Sequence, residues 1–101
     1  MSDEKNAAPE KVAALKRIHQ QFKGTSRATQ RDRLRVAFHE CGTLNTVEIR
    51  LHLDIIHPAG RVQDLRDEGL NIVTLWTVAT SDAGEEHRVA NYLLVREVAD
   101  A

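Results

Sequence analysis

Asn45-Thr46-Val47-Glu48-Ile49-Arg50-Leu51-His52-Leu53-Asp54-Ile55-Ile56-His57-Pro58-Ala59-Gly60-Arg61-Val62-Gln63-Asp64-Leu65-Arg66-Asp67-Glu68-Gly69 contains two helix starts in close succession. Asn45 or Thr46 offers a side-chain oxygen to the first free N–H groups of a short helix. Val47, Leu51 and Ile55 are then expected to point inward. The next helix begins near His57-Pro58, because proline fits the first turn, where its missing N–H costs nothing. It runs to Gly69 with Ala59, Val62, Leu65 and Arg66 expected on the body side. Gly60, Gln63, Asp64 and Asp67 fall on the far face, Arg61 on the flank and His57 at the entry. Only about three residues separate the two helices, the tight spacing of a helix-turn-helix.

Downstream of Gly69 the apolar period changes from helical to alternating. Ile72–Val78 is rich in β-branched and aromatic residues and predicts a strand, as does Arg88–Val95. The polar stretch Thr80–His87 between them, with Gly84, is the loop of a hairpin. Upstream, a helix is expected from Thr29 to Cys41, with Leu34, Ala37, Phe38 and Cys41 on one face and Gly42 as its C-terminal cap. Earlier still, Val12, Leu15, Ile18, His19 and Phe22 form a helical stripe behind Pro9. The sequence therefore predicts an α+β fold, a winged helix-turn-helix. A three-helix core is followed by a β-hairpin wing, over residues 28–95. One accessory N-terminal helix is added over 9–23. Residues 1–8 are expected to be a disordered tail and 96–101 a C-terminal tail.

A chain of 101 residues has room for one core. Four aromatic residues, Phe22, Phe38, Trp76 and Tyr92, leave that core mostly aliphatic. The single cysteine, Cys41, precludes an internal disulfide and suits a reducing, cytoplasmic setting. No apolar run approaches membrane-spanning length, and the acidic start does not read as a secretory signal.

The net charge of -1 hides an asymmetry. Residues 11–35 hold eight Lys and Arg against one acid, a net of +7, whereas residues 36–101 hold five Arg against eleven acids, a net of −6. A basic block of that size points to a polyanion. Lys23, Arg27, Arg31, Arg33 and Arg35 surround the start of the second helix, whose free N–H groups and dipole also suit a phosphate. With Thr46 at the next helix start, they are the expected DNA phosphate contacts. His57, Gly60, Arg61 and Gln63 are the expected base-reading set. Gln63 suits adenine and Arg61 suits guanine. Arg61 has an alternative, an ion pair with Asp64 or Asp54. Gly60 admits either close backbone approach to DNA or a helix–helix contact.

Thr29-Gln30-Arg31, Leu34, Leu53, Arg61-Val62-Gln63-Asp64-Leu65-Arg66, Gly69, Ile72 and Val89-Ala90-Asn91-Tyr92-Leu93-Leu94 together carry a family resemblance. Residues 29–94 resemble a winged helix-turn-helix domain found in small phage, prophage and mobile-element proteins. The resemblance implies a DNA-binding fold. That family usually has glycine in the turn, where this chain has Asp54, and a basic residue where this chain has Asn91. The wing loop carries Asp82, Glu85 and Glu86, which repel phosphate.

The leading expectation is a double-stranded DNA-binding protein, a transcriptional regulator or accessory factor of a phage or mobile element. A protein-interaction module on the same fold is the rival, motivated by the acidic wing and the acids of the reading helix. A non-specific architectural DNA binder is the third reading. No nucleophile elbow, phosphate-cradling glycine loop or paired carboxylates appear, so no enzymatic activity is expected. The five histidines and Cys41 show no ligand spacing, so neither metal nor cofactor is expected. The stripe of the first helix must be buried on the body or against a second copy. Many helix-turn-helix regulators bind two-fold sites as dimers, so a homodimer through this helix is expected.

Overall fold

Ser26 opens the scaffold: its hydroxyl accepts the N–H of Thr29 at 3.1 Å and starts helix α2, Arg27–Cys41. Gly42 closes α2 with a φ of 81°, a conformation that suits a residue without a Cβ. The computed structural model describes residues 8–96. The tails expected at 1–8 and 96–101 lie, apart from Ala8 and Arg96, outside the described residues. Helix α1, Pro9–Gln21, precedes α2. After α2 come strand β1, Thr43–Asn45, helix α3, Thr46–His52, and helix α4, Pro58–Asp67. Strands β2, Ile72–Thr80, and β3, Glu86–Leu94, complete the chain.

The sheet is antiparallel in the order β1-β3-β2. Strand β1 was not expected. Three residues between two helix caps carry no local pattern, and only pairing with β3 (Thr43 opposite Leu93, Asn45 opposite Asn91) makes them a strand. The hairpin is also longer than expected, because the turn contracts to residues 81–85.

One core joins all elements. Leu15 and Ile18 of α1, Leu34, Ala37 and Phe38 of α2, and Val62 and Leu65 of α4 are buried with Leu44, Ile49, Leu53, Ile55, Ile72, Ala90, Tyr92 and Leu94. The stripe of α1 is therefore spent on the body, with Phe22 packed against the same core. Its apolar residues are not free for a second copy, which removes the reason for placing a dimer contact there.

Two inward faces differ from expectation. In α3, Val47 and Leu51 are exposed, while Glu48 and Ile49 are buried. Asn45 sets this phase through a capping box. Its side chain accepts the N–H of Glu48, and the Glu48 carboxylate accepts the N–H of Asn45. Lys11 of α1 pairs with that carboxylate at 3.1 Å. In α4 the buried row is Pro58, Val62 and Leu65, and Ala59 faces solvent.

The α3–α4 connection runs from Leu53 to His57, longer than expected, and Asp54 takes a φ of 54° where the resemblance implied glycine. A short polar side chain tolerates that left-handed backbone better than most. Gly69 at a φ of 109° ends α4 by a double closure, with Leu70 N–H bonded to Leu65 O and Gly69 N–H to Arg66 O. Arg66 then ties α4 to the hairpin, donating to Ile72 O at 2.8 Å and to Thr74 Oγ1 at 2.9 Å.

Candidate nucleic-acid interface

Helix α4 is held by its buried row and presents Ala59, Gly60 and Gln63 outward, with His57 exposed at its start. A Cβ at Gly60 would meet only His57 Cβ, at 3.9 Å. No helix packs on Gly60, so of its two expected roles the close approach of a partner's backbone is the one left open. Gln63 is exposed and donates to Asp67 Oδ1 at 3.0 Å. Arg61 takes the ion-pair alternative: its Nε lies 2.9 Å from Asp64 Oδ2, both side chains largely covered. The N–H is not aimed well enough to make this a hydrogen bond.

The basic block of α2 splits into two fates. Arg27, Arg31 and Arg35 recur every four residues and form one stripe, which faces the acids of α4. Arg27 binds Asp64 through two donors, at 2.8 and 3.1 Å. Arg31 Nε lies 3.4 Å from Glu68 and a guanidinium nitrogen 4.0 Å from Asp64. Arg35 pairs with Glu68 and, at 2.8 Å, with Asp32. The hydrogen bond from Arg27 holds the Asp64 carboxyl below its ordinary value, against burial that raises it. The same bond pushes Arg27 up, and the bond to Glu68 does so for Arg35.

Arg33 leaves the expected phosphate-contacting set. It is fully buried and donates to Phe22 O at 2.8 Å and to Gly24 O at 3.1 and 3.2 Å, closing the α1–α2 connection. Burial lowers its pKa, and the charge of Asp54 counters that. Lys23 is exposed in the α1–α2 connection. The first N–H groups of α2 are partly spent, since Ser26 takes that of Thr29. Thr46 is half-buried, its hydroxyl donating to Ala90 O at 3.4 Å.

A groove of about 320 Å³ lies between the starts of α3 and α4 and the hairpin. Thr46, Val47 and Arg50 of α3, Pro58 and Ala59 of α4, and Trp76 and Arg88 of the hairpin line it. The Arg88 guanidinium sits over the Trp76 ring, 4.5 Å from its centroid. Among the described residues neither Arg50 nor Arg88 has a carboxylate within ion-pair distance, so the groove is both cationic and apolar. These residues were missed by sequence reasoning. The hairpin register was the available signal: it sets Trp76 opposite Ala90, and Arg88 diagonally across.

Among the described residues, no helix is long and apolar enough to cross a membrane. Cys41 is half-buried, and burial pushes its thiol up, away from the reactive thiolate. The chain matches no curated protein and no solved structure. Residues 29–97 match a family described as the winged helix-turn-helix domain, a DNA-binding kind of fold. That span covers most of the chain and all elements from α2 to β3, and the chain belongs to the winged helix-turn-helix domain family.

Proposed function

We propose that this chain binds double-stranded DNA with α4 in the major groove, as a transcriptional regulator or accessory factor of a phage or other mobile element. The observation that carries the reading is the outward face of α4. Ala59, Gly60 and Gln63 stand clear of the body, and the two small residues let a duplex approach closely. Gln63 and His57 are the base readers in this reading. Lys23, Thr46, Arg50 and Arg88 contact phosphates. Arg27, Arg31 and Arg35 act indirectly: by pairing with Asp64 and Glu68 they remove the repulsion those acids would exert on DNA.

Fluorescence anisotropy tests this with a random duplex and a duplex from the protein's own upstream region, across a salt series. Tighter binding to the upstream duplex, weakening steeply with salt, is expected. Arg50→Ala and Arg88→Ala should each reduce the salt slope by about one. Gln63→Ala should relax sequence preference by roughly 1–3 kcal/mol. Absence of binding to any duplex at low salt would sink the proposal.

A second reading, a protein-interaction module, is favoured by Val47 and Leu51 of α3 and Ile56 of the connection after it, which are large, apolar and exposed. A pull-down that returns one stoichiometric protein and no nucleic acid would select it. Leu51→Lys should then abolish capture of that protein.

A further inference from the structure

We propose that the outer edge of β2 pairs with β2 of a second copy, antiparallel about a two-fold axis at Thr77, joining two three-stranded sheets into one of six strands. Strand β2 is the outermost of the order β1-β3-β2. Asn71 O accepts the N–H of Val95 at 2.8 Å, which turns the odd-numbered residues of β2 towards β3. The N–H and C=O groups of Thr74, Trp76, Val78 and Thr80 therefore point out of the sheet edge. Ile72 O also points outward and is taken by Arg66.

Edge strands are usually guarded by charge, proline or a bulge. Ile72–Thr80 contains neither a charged residue nor a proline, and its register with β3 is unbroken from Ile72 opposite Leu94 to Thr80 opposite Glu86. Trp76 and Val78 on this strand are 58% and 62% exposed.

A second copy is the occupant these features select. Beyond Arg66 at its Ile72 end the edge is uncharged, so it does not repel itself and offers little charge by which a different protein's strand would be chosen. A two-fold at Thr77 sets Thr74 against the partner's Thr80, and Trp76 against the partner's Val78, so four backbone-bonded pairs form. Two of them are aromatic–β-branched pairs, a favourable cross-strand combination. The backbone pairing lies in the plane of the sheet, whereas the groove lies on its helix-facing side, and Trp76 borders both.

Sedimentation equilibrium of the full chain over a dilution series should show a monomer–dimer equilibrium. Thr77→Lys and Thr77→Glu each place like charges face to face across the axis and should each weaken the dimer about tenfold. The residue is exposed, and far-UV circular dichroism checks that each variant stays folded. An equimolar mixture of the two variants should restore the dimer. The pairing is overturned if the wild-type chain sediments as a monomer throughout, if either variant dimerises like the wild type, or if mixing restores nothing. Duplex binding by the wild-type chain is read separately, so a DNA-binding monomer would overturn this pairing and leave the DNA reading standing.

Discussion

Along the seam between α2 and α4, three arginines meet carboxylates; in the groove beside the hairpin, two arginines meet none among the described residues. The seam holds three of the eight cations of the basic block, Arg27, Arg31 and Arg35, and each is paired with an acid. The groove comes from a stretch that is acidic in total, yet its cations remain available. A basic stretch of sequence thus becomes a basic surface only where the fold brings no acid to it.

The largest effect that sharpens this contrast belongs to Arg33, which sits in neither place. Arg33→Ala leaves the carbonyls of Phe22 and Gly24 without their donor and empties a buried volume, so chemical denaturation should show a loss of about 3 kcal/mol. Wild-type-like stability would mean that the basic block is all surface. A middling effect is expected from Asp64→Asn, which frees Arg27 and Arg61 and leaves Arg31 on Glu68 alone. Duplex affinity should rise several-fold at low salt, and the gain should vanish as salt rises. An unchanged affinity would break the contrast, because the seam would then not be masking its arginines.

The same carboxylate makes stability depend on pH. The hydrogen bond from Arg27 makes Asp64 titrate below its ordinary carboxylate value in the fold, and unfolding returns it to that value. Its pairing therefore stabilises the fold above the ordinary value and is lost as pH falls through the lowered one. Thermal melts should fall on acidification in the wild type and fall less steeply in Asp64→Asn. The smallest effect is Arg35→Ala, a partly exposed pair, which should cost less than about 1 kcal/mol in the same melts.

What could be read from sequence follows from whether its cause is local. The caps at Pro9, Gly42, Asn45, Pro58 and Gly69 are local, and all five helix boundaries they mark are found. The hairpin was legible from its alternation, and the left-handed turn at Asp54 was implied by the family resemblance, which has glycine there. Strand β1 was not, because β3 supplies its only reason to be extended. The phase of α3 was misread because a short helix gives an apolar pattern little to repeat over, and the capping glutamate is itself buried. For the candidate site, the exposed Gln63 and the Arg61–Asp64 pair were legible, whereas Ala59 was expected inward and Asp64 outward, and the pairs between α2 and α4 were not read. Arg33 was within reach: it shares a helical row with Ala37, whereas Arg27, Arg31 and Arg35 form another. The pairing of that second row with α4 depends on how two helices cross, which neither helix encodes alone.

The bond from Arg66 to the first residues of β2 makes α4 and the hairpin one mechanical unit. A loosely jointed wing would lose orientational freedom whenever the helix docked, and that entropy would be taken from the affinity. With the joint already closed, the spacing between helix and hairpin is set before any partner arrives. Breaking it should slow association more than it weakens any single contact.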